Sequence, residues 1–334
     1  MRAVLCREYG PYQNISVEDV PAPAQPLAPG TVLVDVAAAG IGFANVLSIA
    51  GQHQNSPPVP FIPGTEAAGV IGAVVVDVTR LRPGQRVAIS LPHGAFAEQA
   101  VAQADNVFPI PDSLDFGAAT NFPTIYATAY GALVWQARMQ PGETLLVHGA
   151  GGGSGLAAVD VGKAMGATVI ATAGDEAKMA AARSAGADHL INYRQADFRA
   201  AVLDLTNGRG ADVIFDPVGG EVFDQSLRCI APEGRIFPIG FAGGTIPQIP
   251  ANILLVKNIS VHGIYWGYYG GWAKQPRTPE IITRLHGAME TMFRWQNAGR
   301  LHPLVHGAYD LADCVAALDV ITQRRAIGKV VLTT

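Results

Sequence analysis

A chain of 334 residues is long enough for about two domains, and with 49% hydrophobic against 15% charged residues it can bury large cores. Its formal net charge of −4 and the lack of any basic run argue against nucleic-acid and anionic-membrane partners, and no apolar run reaches the ~18 residues of a membrane span. Cys6, Cys229 and Cys314 stand singly, without metal-site or redox spacing, and "MRAVLCREYG" lacks the apolar core of a secretion signal, so a cytoplasmic protein is expected.

The first third is punctuated by turns. The proline-rich "VPAPAQPLAPG" (20–30) gives way to the strand-like "TVLVDVAAAGI", and "GVIGAVVVDV", "RVAI" and "AFAEQAVA" follow as further short strands, with a Pro-Gly turn in "LRPGQRV". Such spacing predicts a β-rich domain. After Pro123 the character changes. From Gly142 the order is strand "TLLVHGA", glycine loop, helix 154–165 closed by Gly166, strand 168–173, helix 175–185 closed by Gly186, then "HLINY", "ADVIFDPVGG" and "GRIFPIGFAGG". Alternation of β and α at this period predicts a parallel sheet with helices on both faces. From about Ile264 the pattern is mixed again and ends in the strand-like "KVVLTT".

The loop reads Ala150-Gly151-Gly152-Gly153-Ser154-Gly155, an A-x-G-x-x-G form of the dinucleotide fingerprint. Gly152 is expected to admit a pyrophosphate to the backbone and Gly155 to let the helix pack on its strand. The helix N-terminus is expected to supply N–H groups and a positive dipole end. A tight turn without ligand is the plainer reading, but it leaves three consecutive glycines unexplained. An NAD site usually ends its second strand in an acid, and here Ala173 stands in that place. Lys178 and Tyr193, near the expected adenosine ribose, favour a 2′-phosphate and hence NADPH. Asp175 opposes a phosphate, yet it also suits an N-cap.

The segments "PGTEAAGVI", "VHGAGGGSGL", "AGADHLINY" and "RRAIGKVVL" fall in the order of the medium-chain dehydrogenase/reductase superfamily, which the chain resembles over essentially its whole length. The resemblance implies an α/β protein with a GroES-like β-rich catalytic domain made of residues 1–122 and 263–334, and an inserted Rossmann domain, 123–262. Zinc-dependent members place metal ligands where this chain has Gly42, Thr65 and Thr124, none a usual ligand, and three cysteines cannot make a four-cysteine lobe, so no metal is expected. His302 and His306 are four apart, but Pro303 between them argues against a ligand-presenting helix.

Within the superfamily, "GIGFANVL", "NFPTIYATAYGAL" and "NISVHGIYWG" resemble the zinc-independent NADPH:quinone oxidoreductase, zeta-crystallin-like branch. That resemblance implies Asn45 and Tyr130 at the nicotinamide, and backbone of Ile239, Gly240, Phe241, Ile264, Tyr265 and Trp266 around its ribose and carboxamide. Gly174 and Val218 join the cofactor contacts, and Arg324 reaches the adenosine phosphate. Leu47 departs from the tyrosine common in the branch. The aromatic run "YWGYYGGW" fits either a roof over a flat substrate or ordinary core. The function implied is NADPH-dependent, zinc-free reduction of a small-molecule quinone or enone by a homodimer joined at Rossmann edge strands. An enoyl-thioester C=C reductase and a non-catalytic NADPH-binding crystallin-like protein are the alternatives.

Overall fold

The computed structural model describes residues 1–334. The chain divides into two compact units: Met1–Thr124 with Trp266–Asn297 and Pro303–Thr334, and Ile125–Tyr265 with Ala298–His302.

The first unit is built on a seven-stranded sheet. Strands Val305–Asp310, Lys329–Thr333, Thr31–Ile41, Glu66–Val74, Arg86–Ser90 and Val107–Pro109 follow one another across it, and Gln99–Gln103 also pairs with Thr31–Ile41. All pairs are antiparallel except Val305–Asp310 with Lys329–Thr333. The two ends of the chain meet here, with Val330 opposite Ile41. Val32, Val34, Ile71, Ile89, Phe96, Val330 and Leu332 form the dry interior. One ion pair, Glu66 with Lys329, is buried among them, and the lysine stem occupies the space beside Gly40 that a side chain there would need.

In the second unit six strands lie parallel in the order His189–Asn192, Thr168–Ala173, Thr144–Val147, Ala211–Asp216, Ile230–Pro238, Ser260–Val261. This is the Rossmann order 3-2-1-4-5-6. The central strands carry the fully buried apolar runs Leu145–Val147 and Val213–Phe215, as a parallel sheet covered on both faces requires. Local chemistry sets the helix starts: Asp175 accepts from the Lys178 N–H at 2.9 Å and Asp197 from that of Arg199 at 2.9 Å. The α/β class and the parallel sheet read from the sequence are those of the structure. Less expected is the winding of residues 122–136, where π-helical turns at Phe122–Tyr126 and Gly131–Gln136 flank the α-helical Ala127–Tyr130. All three cysteines are buried and unbridged.

Candidate functional site

Ligands of an open parallel sheet bind beyond the carboxyl ends of its strands, where the order reverses. In this sheet the reversal lies between the loops that follow Thr144–Val147 and Ala211–Asp216. The first loop turns at Gly149, whose φ of +57° lies in the left-handed region, and whose carbonyl accepts from the Gly152 N–H at 3.0 Å. Gly152 caps the helix Gly153–Ala164 with no side chain bonded across its end. The N–H groups of Gly153, Ser154 and Gly155 therefore point out of the helix without intrahelical partners.

Three glycines of this loop differ in what they face. A Cβ on Gly155 would collide with the Gly149 carbonyl and come within 2.7 Å of Ala150 Cα. One on Gly151 would strike the stem of Lys178. One on Gly152 would meet nothing closer than the Gly149 oxygen at 3.5 Å, and Gly152 has an ordinary φ of −84°. Neither backbone conformation nor packing within the protein requires glycine there. A helix N-terminus whose first N–H groups have no intrahelical partner, with open space beside Gly152, fits a pyrophosphate.

At the end of the second strand Asp175 is the N-cap, and its Oδ2 lies 3.5 Å from Lys178 Nζ. Above Gly174, a Cβ would come within 2.9 Å of Tyr193 Cζ and 3.2 Å of Arg194 Nε. The Lys178 stem thus lies over Gly151, and Tyr193 and Arg194 over Gly174, around a strand that ends in Ala173 rather than an acid, with the Asp175 carboxylate two residues on. Arg194 escaped the sequence reading. Its only signal is its place directly after Tyr193 in "INYR".

Beyond the fourth and fifth strands, two loops interlock. Asp216 Oδ1 accepts from the N–H groups of Val218 (2.8 Å) and Gly219 (3.1 Å), while the Ala242 and Gly243 N–H groups donate to the carbonyls of Pro217 (3.1 Å) and Val218 (2.9 Å). Ile239 donates to the Asp216 carbonyl at 2.8 Å. Val218, Ile239, Gly240 and Phe241 are thereby held side by side. Burial raises the pKa of the Asp216 carboxyl. Ile264 and Tyr265 follow the last strand, Ser260–Val261, in the same unit, where Tyr130 also lies, buried and edge-on to Trp135 at 5.8 Å.

Asn45, Trp266 and Arg324 belong to the other unit. Asn45 is buried in the short helix Phe43–Ile49 that follows the sheet's longest strand, and its Oδ1 accepts from the Gly42 N–H at 2.8 Å. The cap occupies its oxygen and leaves the amide NH₂ as the group to offer a ligand. Trp266 opens the short helix Trp266–Tyr269, and Arg324 sits at a φ of +57° just past the helix Cys314–Thr322. No group of three His, Cys, Asp or Glu side chains is placed to hold a metal ion. His302 Nδ1 instead lies 3.0 Å from the buried Asp160, which also accepts from Tyr126 at 2.6 Å, and His306 Nδ1 accepts from the Ile327 N–H at 3.2 Å.

A Rossmann sheet with a phosphate cradle, together with a GroES-like unit closed by both chain ends, defines an oxidoreductase of the medium-chain dehydrogenase/reductase superfamily, which uses a nicotinamide cofactor on a small-molecule substrate. Residues 28–112 match the family "Alcohol dehydrogenase GroES-like domain" and residues 153–285 the family "Zinc-binding dehydrogenase". "Quinone oxidoreductase-like protein 2" of Mus musculus is 38% identical over 333 residues, which are 99% of this chain and 92% of that protein. Among solved structures, the quinone oxidoreductase of Pseudomonas syringae pv. tomato superposes with a TM-score of 0.89 at 29% identity, over 100% of this chain and 99% of its own. The Escherichia coli quinone oxidoreductase complexed with NADPH superposes with 0.88 at 27%, over 100% of both chains. The chain belongs to the quinone oxidoreductase branch of that superfamily.

Proposed function

We propose that this protein is an NADPH-dependent, zinc-free reductase of quinones or related enones. One observation carries the choice of NADPH: Tyr193 and Arg194 lie over Gly174 and the Lys178 stem over Gly151, around a strand that ends in Ala173 where an NAD site would present a carboxylate. A bound nicotinamide supplies a hydride from its C4 carbon. The chain's own residues then have three tasks. The N–H groups of Gly153, Ser154 and Gly155 hold the pyrophosphate. Backbone around Val218 and Ile239–Phe241 (239–241) holds the nicotinamide half, with Ile264, Tyr265 and Trp266 completing the contact. The Asn45 amide and Tyr130 line the reacting end.

With Gly42, Thr65 and Thr124 at the ligand positions of zinc enzymes, no Lewis acid is held against the substrate, which suits acceptors that are already electrophilic. The same reading assigns residues 1–122 and 263–334 to the catalytic domain and 123–262 to the cofactor domain, in a cytoplasmic homodimer.

Turnover of NADPH and NADH against a quinone panel, beside enones and enoyl-CoA thioesters, tests the proposal. Quinone or enone reduction faster with NADPH supports it. Preference for enoyl thioesters would replace the substrate class, and tight NADPH binding with no turnover on any panel would favour a non-catalytic role.

A further inference from the structure

The strand Thr144–Val147 delivers the chain to the phosphate loop through one polar residue, His148. On this strand and its neighbours Leu146, Ile170 and Ile214, with Phe223 of the helix Gly220–Cys229, belong to one apolar core cluster. His148 is buried, with the Phe198 ring edge-on at 4.8 Å. A buried imidazole must satisfy both nitrogens. Nδ1 lies 2.9 Å from Thr172 Oγ1, at the end of the next strand, and Nε2 lies 2.9 Å from Ser226 Oγ on the helix Gly220–Cys229.

These bonds have a direction. The Ser226 hydroxyl donates its one proton to the Val222 carbonyl at 2.7 Å, so towards His148 it can only accept. Nε2 therefore carries the ring proton, and Nδ1 accepts from the Thr172 hydroxyl. Burial keeps the ring neutral, with its pKa pushed down to about 3. Thr172 also acts on the loop directly, because its carbonyl accepts from the Ala150 N–H at 3.0 Å. One residue thus grips the chain on both sides of Gly149, His148 through the side chain and Ala150 through the backbone. Gly149 is the turn whose carbonyl receives Gly152.

We propose that His148, fixed as its Nε2–H tautomer between Thr172 and Ser226, is a positioning residue for the dinucleotide: it sets where the loop leaves the sheet and hence the aim of the Gly153, Ser154 and Gly155 N–H groups. The inference rests on the dinucleotide reading of that loop. A histidine that merely fills the core would hold the fold equally well but would not govern affinity for the cofactor.

Two near-isosteric variants, Thr172→Val and Ser226→Ala, each remove one bond, while His148→Leu removes both. In folded Thr172→Val the Kd for NADPH rises about tenfold, the size of one lost hydrogen bond, while kcat at saturating NADPH stays within about twofold of wild type. Long-range ¹H–¹⁵N spectra of imidazole-labelled protein show a single Nε2–H tautomer in wild type, which Ser226→Ala lifts. An unchanged Kd in both folded variants overturns the proposal, as does an Nδ1–H tautomer in wild type. Wild-type protein that binds neither NADPH nor NADH would overturn the dinucleotide reading as well.

Discussion

Gly152 and Gly155 stand three residues apart in one loop, and a methyl group tells them apart. At Gly155 the added carbon meets backbone that cannot yield, so Gly155→Ala is expected to cost about 1–3 kcal/mol of stability by overpacking. At Gly152 it enters open space at an ordinary φ, and Gly152→Ala is expected to leave the melting temperature unchanged or slightly raised. That same variant loses NADPH affinity, and Gly152→Val abolishes binding in a folded protein. Thermal melts paired with NADPH fluorescence titration check both, and full affinity in Gly152→Val would assign the glycine run to packing alone. At the strand end beyond, Lys178→Met keeps the stem over Gly151 but removes the charge. A charge-assisted bond to phosphate is worth about 1.5–3 kcal/mol, so NADPH is expected to weaken ~10- to 150-fold with NADH nearly unchanged. Arg194→Ala acts in the same sense, more weakly because the side chain is exposed. Asp175→Ser keeps a helix cap and removes a carboxylate, so it improves NADPH. Dissociation constants for both nucleotides decide, and equal losses for the two in the lysine variant would remove the 2′-phosphate site.

The strand Thr144–Val147, followed directly by His148, carries a pH dependence of its own. In the unfolded chain a histidine titrates near 6.5, whereas burial lowers the pKa of His148 to about 3. Between those values the unfolded chain binds a proton that the native one does not. Stability therefore falls as pH drops below about 6.5, by up to ~1.4 kcal/mol per pH unit, until about pH 3. Burial raises the Asp160 and Asp216 pKa values, which acts oppositely: native protein takes up those protons first, so their contribution is largest in acid and is lost as pH rises. Denaturation midpoints between pH 7 and pH 5 show a shallower slope in His148→Leu than in wild type if this account holds. Parallel slopes would mean that the ring charges in the native state. At this scale the sequence is legible where the signal is local. Periodicity, closing glycines and the Asp175 cap place the helices Gly153–Ala164 and Glu176–Ser184 and the strand Thr168–Ala173 within a residue, whereas the strand-like runs 69–78, 95–102 and 234–244 are offset by several residues from Glu66–Val74, Gln99–Gln103 and Ile230–Pro238. What the sequence hides is set by which strands become neighbours. His148 meets Thr172 and Ser226 only after the 3-2-1-4 order is formed, and Glu66 meets Lys329 only when the two chain ends share a sheet. Arg194 gains its meaning from Gly174 beneath it. Asn45 shows the converse, since a residue singled out for a ligand also proves to be a helix cap.

Across the whole molecule, the parallel sheet ends in an edge strand of only two residues, Ser260–Val261. In the same unit Ile246, Ile249, Leu255 (81% exposed) and Val256 (75%) present apolar side chains to solvent. An open edge near uncovered apolar side chains is a template for association. The proposed homodimer is expected to lose mass by light scattering when Leu255 and Val256 are both replaced by lysine, and an unchanged mass places the interface elsewhere. Elemental analysis is expected to find no stoichiometric zinc, and activity to survive chelation; one tightly held zinc per chain would end the zinc-free mechanism.

The buried cysteines carry one more consequence. Quinones and enones arylate or alkylate whatever thiolates they reach, and the thiolate is the reactive form. Burial raises the pKa of Cys6, and pushes Cys229 up to about 11 and Cys314 up to about 12. All three are closed off from solvent. Folded protein incubated with excess 1,4-benzoquinone should show no cysteine adduct on peptide mapping, whereas denatured protein should show adducts at all three. An enzyme with the proposed quinone or enone reductase activity is thereby spared slow poisoning by its substrates.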